Sequence, residues 1–343
     1  TIRVEDIARF IGQEVTVQGW VYNRTDKGKL VFLLVRDGSG FIQCVAFKGD
    51  LDANLFDQLI RLPQESSVVI TGVVREDKRA PGIPGGFEIG IQNMQIIQTA
   101  GADYPMALKD HGVDFAIDNR KLWMRMPSQW AVLRVRAAVI AAIREWLDNN
   151  GFINMDTPIL TPSACEGTST LFETQYFDEG VAYLSQSGQL YNEANIMAFG
   201  RVYSLGPTFR AEKSKTRRHL TEFWMVEPEA AFCDLDQLMV IEEQYVSHII
   251  QRVLQNCQPE LKSLQRDTSV LEKITAPFPR ISYDEAAKKI NELFHAESDP
   301  EKKELLKFEW GMDFGAPHEA ALTALFDKPV FVYGYPTAVK AFY

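Results

Sequence analysis

The first hundred residues alternate hydrophobic and polar side chains in short runs, a pattern typical of β-strands. Turn-forming residues rich in Gly, Asp and Pro separate these runs. The pattern predicts five strands and, after the third, a short helix; the strands cover 15–21, 30–36, 41–47, 68–74 and 87–97, and the helix 54–60. Five strands with a helix between the third and fourth predict a five-stranded OB-fold barrel over residues 1–100. An unrelated small β-barrel is the alternative.

The hydrophobic pattern changes beyond residue 100. Residues 101–127 have little periodicity and are predicted to be a linker. From residue 128 apolar positions recur at helical spacing up to the stop signal Asn149-Asn150-Gly151. Further elements follow as strands over 152–160 (interrupted by Pro158), 201–209 and 222–231 and helices over 190–198 and 234–256. This order predicts an α+β domain over residues 128–343, an antiparallel sheet flanked by helices.

Composition narrows the class of protein. The 343 residues suffice for two domains, and 46% of them are hydrophobic. No run approaches the roughly 18 apolar residues that span a bilayer, and the N-terminus lacks a signal-peptide pattern, so we expect a cytoplasmic protein without a membrane partner. The four cysteines show no CxxC spacing, which favours reduced thiols over a disulfide framework or a zinc site.

Charge gives a mixed indication about nucleic acids. The formal net charge of −10 is not typical of a nucleic-acid-binding module. The segment 213–218, Lys-Ser-Lys-Thr-Arg-Arg, is nevertheless strongly basic. We therefore expect any polyanion to bind at a local site rather than over the whole surface.

The segment 201–231 combines the groups that a nucleotide requires. Arg210 ends one predicted strand, Glu212 follows two residues later, a basic loop ends at His219, and Phe223 begins the returning strand. Arginine suits phosphate oxygens, and an aromatic ring can stack on adenine. No Walker or GxGxxG sequence is present, so a nucleotide site here is of another type. The alternative is a hairpin with a charged tip, in which Phe223 is a core residue.

Residues 206–229 closely resemble motif 2 of the class II aminoacyl-tRNA synthetases, in the aspartyl and asparaginyl branch. The run from Arg217 to Glu229, Arg-Arg-His-Leu-Thr-Glu-Phe-Trp-Met-Val-Glu-Pro-Glu, is most similar to the asparaginyl members. The resemblance covers nearly the whole chain, including the barrel. It implies a ligase that uses ATP with Mg²⁺ to form asparaginyl-adenylate and transfers asparagine to tRNA(Asn).

The resemblance assigns the ATP-binding residues. Arg210 matches the catalytic arginine that holds the α-phosphate and the substrate carboxylate, where it would stabilise developing charge. Glu212 matches an acid that contacts adenine or orients the arginine, and Arg218 and His219 match the γ-phosphate contacts. Phe223 matches the ring that stacks on adenine. A surface ion pair between Arg210 and Glu212 is the alternative, and such a pair contributes little stability.

The resemblance also assigns the amino-acid site. Glu166 and Gln189 match the groups that receive the substrate ammonium, with Ser187 close by, and Glu227 is a further polar contact. Aspartyl members carry a lysine that grips the substrate carboxylate where this chain has Asn192. Burying an uncompensated carboxylate costs several kcal/mol or more, which favours asparagine over aspartate.

Two further surfaces are implied by resemblance. Residues 128–162 resemble motif 1, which builds the dimer interface in this family, so we expect a homodimer with Pro158 at the interface. The pattern itself predicts only an amphipathic helix, which is more often a core element.

In the barrel, Arg24, Phe32 and Gln43 match the anticodon-reading face, and an aromatic on that face can stack an unpaired base. The sequence leaves open whether Phe32 faces outward or into the core.

Arg75 and Glu76 are additional candidates for anticodon contacts. Residues 257–310 are predicted to form a polar, helical insertion without chemistry. His318 lies in a segment, Asp-Phe-Gly-Ala-Pro-His-Glu, that resembles one near the family's active-site sheet. A loop histidine is more often structural, and the activation step needs no base because the substrate carboxylate is already the nucleophile.

Family members continue beyond the position of Tyr343 with Mg²⁺-binding acids, an arginine that reads the substrate side chain, and motif 3. We therefore expect the 343 residues to be part of a longer chain, to lack metal ligands of their own, and to be inactive in aminoacylation if complete. Three alternatives remain: an aspartyl-tRNA synthetase, possibly non-discriminating; a truncated non-catalytic tRNA-binding paralogue; and the paralogue that makes asparagine from aspartate. Residues 1–100 argue against the last, because that group lacks the barrel.

Overall fold

The computed structural model describes residues 1–101, 103–109, 111–163, 171–213 and 219–340. The chain forms two compact units. The first contains Thr1–Val135 and Cys257–Arg266, and the second contains Arg136–Asn256 and Asp267–Tyr343.

The first unit contains a closed five-stranded barrel. Its elements are β1 (Glu14–Lys27), β2 (Leu30–Arg36), β3 (Phe41–Phe47), α1 (Ala53–Arg61), β4 (Ser67–Glu76), the two-residue β5 (Gly82–Ile83) and β6 (Phe87–Gln98). Antiparallel pairs join β1 to β2, β2 to β3, β1 to β4 and β4 to β6, and a parallel β3–β6 pair closes the barrel. The predicted OB fold is confirmed, with the helix between its third and fourth strands.

Alternation along the strands explains the barrel core. On β2 the side chains of Val31, Leu33 and Val35 are fully buried, while the intervening Phe32 and Leu34 are partly exposed. A 3₁₀ helix, Val4–Phe10, adds Val4 and Ile7 to the same core. The sequence did not predict this helix, since seven residues are too short to establish helical periodicity.

Residues predicted to be a linker contain α2 (Val113–Asp118) and α3 (Arg120–Trp123), followed by α4 (Pro127–Asn149). A buried ion cluster fixes the start of this stretch to the barrel. Glu65 accepts two hydrogen bonds from the Arg36 guanidinium, each of 2.9 Å, and one of 2.7 Å from Arg125. The Trp130 indole donates to the Gly38 carbonyl at 2.8 Å. These contacts join residues that are far apart in the sequence, so the local sequence pattern does not predict them.

The second unit is built on a sheet with the order β12-β11-β7. Its strands are β7 (Ile153–Asn154), β11 (Arg201–Phe209) and β12 (Glu222–Ala230), of which β11 and β12 form an antiparallel hairpin. A second small sheet contains β8 (Leu160–Thr161), β9 (Glu173–Gln175) and β10 (Val181–Leu184). The strand predicted over 152–160 with an interruption at Pro158 appears as two short strands, β7 and β8, since Pro158 cannot donate a ladder hydrogen bond.

The two faces of the β11–β12 hairpin have different neighbours. Tyr203, Leu205 and Val226 pack with apolar residues of α4 and of α6 (Leu235–Asn256). The other face contacts α5 (Gln189–Phe199), which carries Asn192. This arrangement matches the predicted α+β class, in which helices flank an antiparallel sheet.

The rest of the chain is helical with one short parallel pair. The elements are α7 (Gln258–Ser263), α8 (Ser269–Glu272), β13 (Arg280–Ser282), α9 (Tyr283–Ala296), α10 (Pro300–Leu305), α11 (Ala316–Thr323) and β14 (Phe331–Tyr333). A second core forms around Tyr283, Phe308 and Phe314, whose rings contact one another. His318 is buried against this cluster.

Candidate functional site

The register of the hairpin collects the candidate residues on one face. Ser204 pairs with Glu227, and Thr208 pairs with Phe223. The Arg210 backbone N–H then donates to the Thr221 carbonyl at 3.0 Å. Because side chains two residues apart on a strand share a face, Ser204, Thr208, Phe223 and Glu227 lie on the side away from Tyr203. Local strand geometry alone thus groups these side chains.

Arg210 and Phe223 form a cation–π pair. The guanidinium carbon lies 5.5 Å from the ring centroid, and Phe223 is partly exposed rather than enclosed in the core. Glu212 and His219, which lie near this pair in the sequence, are both exposed to solvent. Arg218 lies outside the described residues. The arrangement presents a cation and an aromatic ring side by side, the two groups that a triphosphate and a purine require.

Glu227 is held by three donors. The Ser187 hydroxyl donates to Oε1 in a short hydrogen bond, the Gly188 N–H donates to Oε2 at 2.9 Å, and the Ser204 hydroxyl donates to Oε2 at 3.3 Å. Hydrogen bonds to an ionised acceptor are about twice as strong as neutral ones. The position of this carboxylate is therefore set by two strands and by the start of α5.

Asn192 lies beneath the same carboxylate and is fully buried. Its Nδ2 donates to Ser204 Oγ at 3.3 Å and to the Glu227 carbonyl at 3.2 Å. Within the described part of the chain, its Oδ1 is buried and has no hydrogen-bond partner. A buried acceptor without a partner is unusual in a native protein and can take an N–H from a ligand.

The turn before α5 brings the backbone against this network. A Cβ on Gly188 would lie 2.7 Å from Thr157 Oγ1 and 2.8 Å from Ser204 Oγ, which excludes any larger residue without a shift. The Gln189 N–H donates to Ser187 Oγ at 3.1 Å, and its side-chain amide donates to Glu193 at 3.0 Å. The predicted ammonium ligand Glu166 lies outside the described residues.

Ser204, Gly188 and Glu229 were not predicted from the sequence. Ser204 could have been found from the hairpin register, because it lies directly opposite Glu227. Glu229 follows Glu227 on the same face, and burial raises the pKa of its carboxyl to about 7, with the Glu193 and Glu227 carboxylates adding to the effect. Glu229 therefore changes charge near neutral pH.

A cavity of about 330 Å³ adjoins the network. Its lining includes Thr157, Pro158, Gly188, Ser204 and Glu227. Pro158, the predicted interface residue, is exposed at the wall of this cavity. The structure thus brings Pro158 next to the predicted amino-acid site.

The barrel separates the three predicted anticodon residues. Phe32 pairs with Val45 and Gln43 with Leu34, so both side chains lie on the outward face, where Gln43 donates to Glu88 at 3.0 Å. Phe32 is therefore not a core residue. Arg24 instead pairs with the buried Leu33, and its guanidinium donates to carbonyls at the end of α1.

The two additional anticodon candidates, Arg75 and Glu76, lie at the end of β4, and Arg75 pairs with Glu88 on the outward face.

His318 has a structural role in the second unit. Its Nδ1 accepts from the Gly315 N–H at 3.0 Å, and its Nε2 donates to the Lys307 carbonyl at 3.2 Å. One ring nitrogen thus fixes the start of α11, and the other joins α11 to the backbone at Lys307.

The described residues contain neither a metal-binding cluster nor a membrane-spanning helix. No group of three or more His, Cys, Asp or Glu side chains there is arranged to hold a metal ion. Among the helices of those same residues, none is both long and apolar enough to cross a bilayer.

Family models match both parts of the chain. The model described as tRNA synthetases class II (D, K and N) matches residues 112–343, and that described as OB-fold nucleic acid binding domain matches residues 15–97. The asparagine–tRNA ligase of Chloroflexus aurantiacus is 54% identical over 343 residues, which are 100% of this chain and 76% of the relative. That of Roseiflexus castenholzii is also 54% identical, with the same coverage.

Solved structures give the same assignment. The asparaginyl-tRNA synthetase from Pyrococcus horikoshii complexed with asparaginyl-adenylate superimposes with a TM-score of 0.85 at 40% identity, over 100% of this chain and 76% of that one. The Entamoeba histolytica asparaginyl-tRNA synthetase in complex with asparaginyl-adenylate gives a TM-score of 0.81 at 29% identity, over 100% of this chain and 76% of that one. The chain belongs to the asparagine–tRNA ligases, within the class II tRNA synthetase family of the D, K and N enzymes.

Proposed function

We propose that this protein activates asparagine with ATP to asparaginyl-adenylate, releasing pyrophosphate, and then transfers asparagine to tRNA(Asn). The observation that carries the choice of amino acid is the buried amide of Asn192 beneath Glu227. Both groups form hydrogen bonds, and neither brings the positive charge that a buried substrate carboxylate would need. The relatives that carry the name asparagine–tRNA ligase support the same substrate.

Arg210 and Phe223 are the proposed centre of the ATP site. Phe223 stacks on adenine, and Arg210 holds the α-phosphate and the substrate carboxylate together. When the carboxylate oxygen attacks the α-phosphorus, a P–O bond forms, the bond to the β-phosphate breaks, and the electron pair leaves with pyrophosphate. Arg210 stabilises the negative charge that develops on the α-phosphate oxygens. Glu212, His219 and Arg218 complete the contacts to adenine and the γ-phosphate.

ATP enters the site as its Mg²⁺ complex, with the ion as part of the substrate. Mg²⁺ bound to a nucleotide needs only one or two carboxylates besides the phosphates. The steps assigned to this chain are binding, alignment and charge stabilisation by its own side chains.

The amino-acid site uses the network around Glu227. The unpartnered Asn192 Oδ1 can accept an N–H of the substrate amide, and Glu227 can accept another. The substrate ammonium is received by Glu166 and Gln189, with Ser187 positioning the start of α5. An aspartate side chain in the same place would set a carboxylate against Glu227.

The tRNA is recognised by the barrel. Phe32 stacks an anticodon base, and Gln43 hydrogen-bonds a neighbouring base edge on the same outward face. Arg24 lies on the other side of its strand, where it donates to the Leu59 and Leu62 carbonyls, so we assign it no base contact on this face. We further propose that the protein is cytoplasmic and forms a homodimer through the surface around Pro158.

The proposed function is tested by ATP–pyrophosphate exchange with asparagine and aspartate in parallel. We expect exchange with asparagine and at least tenfold less with aspartate, because burying the aspartate carboxylate without a cation is unfavourable. A calorimetric titration with a non-hydrolysable asparaginyl-adenylate analogue measures binding independently of turnover. Equal use of both amino acids would support a non-discriminating enzyme, and failure to bind the analogue would refute the proposal.

A further inference from the structure

A groove in the first unit, which we call the α7 groove, separates the barrel from α7. It encloses a cavity of about 510 Å³, which is lined by residues 82–85 and, on α7, by Gln258, Pro259, Lys262 and Ser263. Both segments belong to the first compact unit, although they are far apart in the sequence. Ligand sites typically measure about 300–1,000 Å³, so the α7 groove is large enough for a ligand the size of a nucleotide.

One wall of the α7 groove is part of a loop that OB folds use to bind nucleic acids. Residues 82–85 lie in the connection between β4 and β6, the fourth and fifth strands of the closed barrel. OB folds bind oligonucleotides with the face of their second and third strands and with this connection. Ile83 pairs with Phe41 on β3, two positions before Gln43, so this wall adjoins the outward face that carries Gln43 and Phe32. The α7 groove therefore continues the proposed anticodon face.

The other wall, α7, is fixed to the barrel side of the first unit. Glu260 is only 3% exposed and accepts a hydrogen bond of 2.5 Å from Arg134 Nε. The same guanidinium donates to Glu5 at 3.1 Å. Leu264, which follows the helix, packs against the cluster that contains Phe41 and Trp130. These contacts hold α7 in place, so its exposed side chains keep their positions at the groove.

The charge at the α7 groove is positive, whereas the protein as a whole has a formal net charge of −10. Lys262 is exposed and forms no ion pair within the described part of the chain. Lys78, in the same loop as residues 82–85, is also exposed. The nearby acids are already paired, Asp77 with Arg79 and Glu260 with Arg134. The groove therefore suits an anionic group such as a phosphate.

We propose that the α7 groove binds single-stranded RNA, and that Lys262 contacts a tRNA phosphate next to the anticodon bases read by the barrel. Ile83, Pro84 and Pro259 form the apolar surface against which the sugar and base of that nucleotide lie. The inference rests on the proposed function and deepens it, since it adds a tRNA contact from a helix outside the barrel. A phosphate contact contributes affinity without reading sequence, because every nucleotide carries the same phosphate.

The test measures affinity for tRNA(Asn) and for a tRNA with a substituted anticodon by filter binding at several salt concentrations. Lys262→Ala should weaken both by about three- to tenfold at low salt, because the lost contact is electrostatic. The slope of log affinity against log salt concentration should decrease by about 0.7, the value for one phosphate of a single strand. Lys262→Arg should retain the affinity and the slope. Unchanged binding by Lys262→Ala, or a loss limited to tRNA(Asn), would overturn the proposal.

The matched control is Lys302→Ala, which removes the same charge from an exposed lysine of α10 in the second unit. It should leave the affinity and the slope unchanged, and circular dichroism checks that each variant is folded. A loss of oligomer mass for Lys262→Glu in sedimentation, with tRNA affinity unchanged, would place a second copy of this chain in the groove and overturn the proposal. Failure of the unmodified protein to bind tRNA(Asn) would refute the proposed function, whereas normal tRNA binding by Lys262→Ala would refute only the role of the α7 groove.

Discussion

Ser204 and Glu227 lie opposite each other on β11 and β12, and the Ser204 hydroxyl donates to Glu227 Oε2 at 3.3 Å. The same hydroxyl oxygen accepts a hydrogen bond from Asn192 Nδ2 at 3.3 Å. One small side chain therefore joins the two groups that we propose to read the substrate amide. The hairpin register can place Ser204 opposite Glu227, but its hydrogen bond with Asn192 depends on the packing of α5 against the hairpin.

Replacing Ser204 with Ala removes both hydrogen bonds and loosens Glu227 and Asn192. We expect asparagine affinity to weaken by about 1 kcal/mol, the typical contribution of a hydrogen bond, while ATP affinity is unchanged. Calorimetric titration with each ligand measures the two effects. Ser298→Ala removes an exposed hydroxyl and is the control. Equal losses for asparagine and ATP would indicate general disruption instead of a positioning role.

Replacing Phe223 with Ala tests the adenine platform. The ring is partly exposed and lies under the Arg210 guanidinium, so its loss should weaken ATP binding by about 1–3 kcal/mol, by analogy with base–aromatic stacking. Fluorescence or calorimetric titration with ATP provides the measurement. Phe177→Ala removes another exposed ring and should leave ATP affinity unaltered. A folded Phe223→Ala variant with normal ATP affinity would show that the ring does not stack on the base.

Replacing Phe32 with Ala tests the anticodon face. Because Phe32 faces outward from the barrel, we expect tRNA(Asn) affinity to fall by about 1–3 kcal/mol with little effect on asparagine or ATP binding. A filter-binding assay with tRNA(Asn) and with an anticodon-substituted tRNA makes the comparison. The loss should be specific to the cognate anticodon. A similar weakening of both tRNAs would argue for a general backbone contact instead.

Replacing Glu65 with Gln tests the buried ion cluster of the first unit. The Glu65 and Arg36 side chains are only 4% and 8% exposed, so the variant leaves Arg36 buried without a countercharge. We expect the free energy of unfolding to fall by about 3 kcal/mol, as for other broken buried pairs. Urea denaturation measures the change, and the exposed Glu76→Gln should have an effect below about 0.5 kcal/mol. Equal stability of both variants would contradict a structural role of the cluster.

Glu229 should also affect how stability depends on pH. An unfolded glutamate has a pKa near 4.3, whereas that of folded Glu229 is raised to about 7, so the folded state holds its proton over a higher pH range. Stability therefore falls as pH rises from about 4.3 to about 7 and then levels off. Glu229→Gln should remove this fall and be more stable than the unmodified protein at pH 8, by about 1 kcal/mol given partial solvent screening. Thermal denaturation at pH 4 and pH 8 measures the difference in stability between Glu229→Gln and the unmodified protein, which should vanish at pH 4. An equal gain in stability at both pH values would contradict a role for the Glu229 charge.

Most regular elements could be predicted because their signals are local. The strands over Leu30–Arg36, Phe41–Phe47 and Arg201–Phe209 match the structure residue for residue, since alternation and flanking turns lie within each segment. The position of Arg210 and Phe223 on one face also follows from a hairpin and a period of two. The short strands β9 and β10 were missed because three or four residues carry no usable period.

The face of Arg24 shows the limit of such reasoning. A bulge between Val21 and Asn23 shifts the β1–β2 register by one residue. Since side chains alternate between faces, this shift moves Arg24 to the side of Leu33 and away from Phe32 and Gln43. A family motif assigns the residue type to the position, but the bulge determines where the side chain points.

The sequence by itself determined the two fold classes, the adjacent strands of the hairpin, and the residue types for a nucleotide and a neutral amino acid. The tertiary structure alone decided the surroundings of those residues. Ser204 reaches Glu227 across a hairpin, and Gly188 admits the backbone against Ser204. Burial, together with the charge of Glu193 on a separate helix, raises the pKa of Glu229. Periodicity fixes which face a residue occupies, whereas hydrogen bonds, desolvation and charge coupling depend on which distant segments pack against that face.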